Sequence, residues 1–123
     1  MPDHAKQVGV LCQHVIDLLG LTMKEGQSIL LGESNIAHMV SNHPADYALY
    51  GEYIPLILSA PDYVALNAKD SSIEYVKEVQ VNSIYVKVAV RVSARGQLFA
   101  RSIYRLNTNR VLNFIEKGTL KRY

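Results

Sequence analysis

The stretch VKVAVRVSARGQLFARSIYRL, residues 86–106, decides the fold. Apolar and polar side chains alternate through its first half. Ile84, Val86, Val88, Val90 and Val92 share one side of a strand, and Tyr85, Lys87, Ala89 and Arg91 the other. Ser93-Ala94-Arg95-Gly96-Gln97 interrupts the alternation and reads as a turn, with Gly96 suited to the left-handed last position of a three-residue loop. Gln97–Leu106 is the returning strand. That loop pairs Arg91 with Phe99 and Ala89 with Arg101. A two-residue loop would set Arg101 opposite Val88 on the apolar side, where an unpaired guanidinium is costly. The expected register therefore puts Lys87, Arg91, Phe99, Arg101 and Ile103 on one face. It puts Val88, Val90, Val92, Leu98, Ala100, Ser102 and Tyr104 on the other. One face meets a core, and the second is either a solvated surface with scattered cations or an anion-binding surface. In the latter case arginine forks grip phosphate oxygens and Phe99 or Tyr85 stacks on bases.

Outward from the hairpin, Tyr63–Ala68 and Ile73–Val79 read as two more strands, with Asp70-Ser71-Ser72 turning between them. Before them the period is helical. Val8, Leu11, Cys12, Val15, Leu18 and Leu19 predict a helix over Val8–Leu19, stopped by Gly20. Glu25-Gly26-Gln27 is a turn, and Ser28–Leu31 is short and apolar. Ser34–Val40 is a short helix capped by Ser34, with Ile36, Met39 and Val40 as its buried stripe. Pro44 and Asp46 suit the first turn of the next helix, which runs through Tyr47, Tyr50, Ile54, Ile57 and Leu58 and is broken near Pro55. Asn109–Lys117 closes the chain as a helix ended by Gly118. Helices first and strands after give an α+β class, with N-terminal helices packed on one face of a four-stranded antiparallel sheet.

The chain has 123 residues, half of them hydrophobic and a fifth charged, which is enough for one domain over residues 1–123 with a packed core. A net charge of +2 permits an anionic partner without requiring one. The single cysteine, Cys12, reads as a core filler and leaves no partner for an intramolecular disulfide. The start MPDHAKQ has no signal-peptide core, and no apolar run is long enough to span a membrane. The expected setting is cytoplasmic, or delivery by a phage or secretion apparatus. No cluster has zinc-like spacing, no glycine-rich phosphate loop is present, and no metal or cofactor is expected.

LLGESNIAHMVSNHPADY, residues 30–47, holds the histidines that matter most. His38 lies two residues from both Ile36 and Val40, so helical geometry turns it away from the buried stripe and leaves it no structural duty. His43 precedes Pro44 and reads as a cap. His14 pairs with Asp17 on the first helix, and His4 sits near the start.

The order LLGESNIAHMVSNHP, YIPLILSAPDYV, IEYVKEV and VKVAVRVSARGQLFARSIYRL resembles the phage-associated members of the barnase–EndoU–colicin E5/D–RelE superfamily, small metal-independent ribonucleases of prophages and toxin systems. The resemblance spans Leu30–Lys121 and rests on the order of short motifs. It implies a catalytic histidine in the helical region, matched by His38, and basic or hydroxyl residues on the strands. Arg101 and Tyr104 match the last strand, and Lys77 and Arg91 the earlier ones. RNA cleavage would then use the 2′-hydroxyl as nucleophile and give a 2′,3′-cyclic phosphate. His38 carries a proton and Arg91 and Arg101 stabilise the phosphorane, while Glu33 is a second proton carrier or orients the imidazole. Lys87, Lys77, Ser34, Phe99 and Tyr104 are the substrate contacts. RNA is the expected partner, with an immunity or antitoxin protein as inhibitor. The alternative is a catalytically inactive RNA-binding, phage regulatory or structural interaction protein of the same fold, its eight tyrosines serving an interface.

Overall fold

The computed structural model describes residues 5–80 and 84–123; His4 lies outside them. The chain runs β1 Ala5–Val10, α1 Gln13–Leu19, β2 Ser28–Gly32, α2 Glu33–Asn42 and α3 Pro44–Tyr50. A 3-10 turn, Gly51–Tyr53, leads to α4 Ile54–Ser59. Strands β3 Tyr63–Leu66, β4 Ile73–Gln80, β5 Ile84–Val92 and β6 Leu98–Leu106 follow, then α5 Thr108–Glu116 and β7 Lys121–Arg122. The α+β class holds, but the sheet is larger than the four expected strands. It has seven, in the order β1-β2-β6-β5-β4-β3-β7, and is mixed because β2 runs parallel to β6.

The additional strands come from places where local pattern misleads. Val8 and Leu11 fit a helical period with Val15, yet β1 pairs antiparallel with β2 instead. Val8-Gly9-Val10 joins two β-branched residues to a glycine, a poor helix start. A Cβ on Gly9 would stand 3.0 Å from Leu58 Cβ, so the strand passes α4 at a distance only glycine tolerates without adjustment. The helix proper begins at Gln13, buries Val15 and Ile16, and ends at Gly20 with φ 65°, as its composition demands. His14 does not pair with Asp17: Gln13 takes that carboxylate at 2.7 Å, and His14 sets its edge on Tyr123.

Pro44 occupies the first turn of α3, and Pro55 that of α4, so the break expected near Pro55 is the 3-10 turn between them. Ser34 is not the cap of α2. Gly32 holds that position, and its N–H donates to the Asn35 side chain at 2.8 Å. Val40 is 46% exposed, which leaves Met39 and Ile36 as the buried side of this helix.

One sheet face carries the main core. Val86, Val88 and Val90 of β5, Ile73 and Tyr75 of β4, and Leu98, Ala100 and Ile103 of β6 pack against residues of α1, α2, α3 and α4. On the second face Val111, Phe114 and Ile115 of α5 cover one end, where they meet Val76, Ala65, Tyr85 and Leu106. Lys87, Ala89 and Arg91 of β5 and Phe99, Arg101 and Tyr104 of β6 stay at least partly accessible.

Candidate active site

The open face is shaped by one extra residue. The hairpin has the expected three-residue loop: Ser93 N–H donates to Gln97 O at 2.7 Å, and Gly96 has φ 83°. Arg91 pairs with Phe99 as expected, and Val90 with Ala100. The next pair is Ala89 with Ser102, so Arg101 is a bulge, two residues of β6 standing against one of β5. Arg101 stays on the cationic face, but everything after it changes side. Ile103 pairs with Val88 and is fully buried, whereas Tyr104 pairs with Lys87. The expectation of Ile103 on the open face and Tyr104 on the apolar face is therefore corrected, and Ser102 moves with Tyr104. The physical cause is that an isoleucine in water and a further tyrosine hydroxyl in this core, beside that of Tyr75, are both unfavourable, and one bulge removes both conflicts.

Arg91, Phe99, Arg101 and Ser93 line a cavity of about 280 Å³, which Asn35 of α2 closes from the side. β2 pairs with β6 only at Leu98 and Phe99; beyond them the chain leaves as α2, which packs along β6. Helical spacing puts Asn35, His38 and Asn42 on one stripe of α2. His38 is exposed, and the Asn42 amide nitrogen stands 3.1 Å from its Nδ1 and 3.0 Å from its Nε2.

A second group lies further along the same face. His43 joins α2 to α3, but its side chain makes no cap hydrogen bond. It stacks on Tyr104 with ring centroids 5.1 Å apart and planes at 25°. Lys87 Nζ sits 4.7 Å from the centre of the same ring and bonds Glu74 Oε2 at 3.0 Å. Asn67 donates to that carboxylate oxygen at 3.2 Å. Burial opposes the Lys87 charge, and neighbouring Tyr104 and Glu74 outweigh it, so its pKa is held above that of an ordinary lysine. Asp46, in the first turn of α3, accepts from Arg105 N–H at 3.2 Å and ties this end of the groove to β6 beyond the bulge.

The structure thus brings Arg91, Arg101, Phe99, Lys87 and Tyr104 onto one face and sets Asn35, one helical turn before His38, beside it. It does not bring Lys77 there. Lys77 pairs with Val86, faces the other side of the sheet, and donates to Ala60 O at 2.8 Å. Its parity with Ile73 and Tyr75 shows as much in the sequence. Glu33 and Ser34 are exposed in the first turn of α2. Glu33 lies five residues from His38, turning it about 140° away from that histidine around the helix. Glu74, Asn67, Asn35 and the true place of His43 escaped sequence reasoning. Glu74 alone had a signal, its alternation between apolar Ile73 and Tyr75. Among the described residues no three His, Cys, Asp or Glu side chains group as metal ligands, and no helix is long and apolar enough to cross a membrane.

A partly covered antiparallel sheet face carrying cations, an aromatic ring and flanking histidines is the arrangement of a small α+β nuclease-like protein. The family model described as phage-Barnase-EndoU-ColicinE5/D-RelE like nuclease3 matches residues 6–113, and the chain belongs to that family. Comparison with curated proteins and with solved structures returns no match.

Proposed function

We propose that the protein is an endoribonuclease that cleaves RNA without a metal ion. The observation carrying this reading is the cavity that holds Arg91, Arg101 and Phe99 together with Asn35, one helical turn before His38. Two arginines there grip the phosphate oxygens, and Phe99 stacks on an adjacent base. His38 takes the proton of the 2′-hydroxyl. The 2′-oxygen bonds phosphorus, the bond to the 5′-oxygen breaks, and the arginines stabilise the dianionic phosphorane between these events. Glu33 faces away from this stripe and His43 stacks on Tyr104 toward the other end of the face, so the leaving 5′-oxygen takes its proton from water. RNA is the partner, and an immunity or antitoxin protein covering the cationic face is the means by which a host would survive it.

The test is time-resolved cleavage of end-labelled RNA with and without a chelator. Products ending in 2′,3′-cyclic phosphate, formed equally fast with chelator, are expected. His38→Ala should lose about 10² to 10⁴ in rate with RNA affinity little changed. Full activity in His38→Ala, or activity only with added metal, overturns the mechanism. RNA binding without cleavage by the wild type would leave the binding-module alternative in its place.

A further inference from the structure

The proposed cut lies at the arginine end of the groove, and the opposite end holds a cavity the reaction leaves unused. It measures about 380 Å³ and lies where α5 stops covering the open face. Its walls are Leu66, Leu106, Leu120 and the rings of Tyr104 and Phe114. Arg110 sets its guanidinium 5.6 Å from the Phe114 ring centre. Among these apolar walls stand Glu74 and Lys87, each with a side chain only 13% exposed. Both partners of the Glu74 carboxylate bond Oε2, Lys87 at 3.0 Å and Asn67 at 3.2 Å. Asn67 is itself fixed, because its Oδ1 accepts from Lys69 N–H at 2.8 Å. The carboxylate is thus anchored through one oxygen, and Oε1 is the acceptor it offers a ligand.

We propose that this cavity binds the base of a nucleotide next to the scissile phosphate and reads it through Glu74. The claim rests on the RNA-cleaving reading above. A phosphate does not suit the site, since the carboxylate repels it. A purely apolar group would leave the ion pair without a polar neighbour. A base satisfies both parts: a flat π face for Phe114 and the apolar walls, and ring or exocyclic N–H groups for Glu74. Lys87 and Arg91 stand four residues apart on one face of β5, a span of about 13 Å, which suits a base adjacent to the gripped phosphate.

The test is NMR titration of the folded chain with each of the four nucleoside 5′-monophosphates, using ribose 5-phosphate as a base-free control. The nucleotides should bind more tightly than ribose 5-phosphate, differ among themselves by about tenfold, and shift the ring signals of Tyr104 and Phe114. Phe114→Ala should weaken all four by about tenfold, and Glu74→Gln should shrink the differences between bases. Ribose 5-phosphate binding as well as the nucleotides, or shifts confined to Phe99, overturns the proposal. Should Phe114→Ala fail to fold, the wild-type and Glu74→Gln titrations decide. A chain that selects bases but does not cut RNA keeps this pocket and loses the reaction. One that cuts RNA without base selection keeps the reaction and loses the pocket.

Discussion

Replacing Ile103 and Tyr104 one at a time tests the bulge on which the groove depends. Ile103 is fully buried and pairs with Val88, also fully buried, in the main core. Ile103→Ala removes three carbons at about 0.8 kcal/mol each, or about 2.4 kcal/mol. The cavity left behind raises the expected cost to about 3–4 kcal/mol. Tyr104 is half-buried on the opposite face, where it contacts His43 and Lys87. Tyr104→Ala loses one ring stack and one cation–π contact, for a cost of about 1–2 kcal/mol. Urea unfolding of the three proteins gives the comparison, read from midpoints with the slope m unchanged. An unbulged β6 reverses the order: Tyr104→Ala then costs about 3–5 kcal/mol, and Ile103→Ala falls within about 0.5 kcal/mol of wild type. Observing that reversed order refutes the register and the groove built on it.

Three further outcomes follow from the same placement. Val88→Asp puts an unpaired carboxylate at a fully buried position and should abolish folding; a soluble variant with wild-type thermal stability contradicts the buried face. Arg91→Ala should weaken RNA binding at low salt and reduce the salt slope by about 1, whereas Lys77→Ala on the other sheet face should leave both within error; equal losses from the two would show binding without a preferred face. Lys87 has its pKa raised above 10.5, so its charge stabilises the fold fully below the unfolded lysine value and the contribution fades as pH rises through the higher folded one. The stability difference between wild type and Lys87→Met should therefore hold steady from neutral pH to about pH 10 and shrink above; shrinkage beginning below about pH 9 contradicts the Glu74 pairing.

Much of the site's ingredients, though not its assembly, was legible in the chain. Val86, Val88 and Val90 declare a buried face through alternation, and Gly96 declares the loop, because both depend on backbone geometry within a few residues. From these, Arg91 opposite Phe99 follows directly. Arg101 was assigned to the correct face for the correct reason, the cost of burying a guanidinium. The apolar spacing Leu98, Ala100, Ile103 carries the trace of the bulge, since its last step is three instead of two.

By itself, then, the sequence determined the class of fold, the hairpin loop, the parity of β5 and that of β6 up to the bulge, all set by interactions between near neighbours along the chain. Tertiary structure decided the rest. β1 became a strand because β2 was there to accept its hydrogen bonds, and a backbone partner outweighs a weak helical period. The bulge formed because two faces of β6 had to match different surroundings at once, the core around Val88 and the open groove beside Lys87. His43 left a capping role for the Tyr104 ring because β6, sixty residues on, passes beneath it. Such choices turn on which distant segment arrives to bury, pair or stack, and no local pattern of charge or hydrophobicity encodes that arrival.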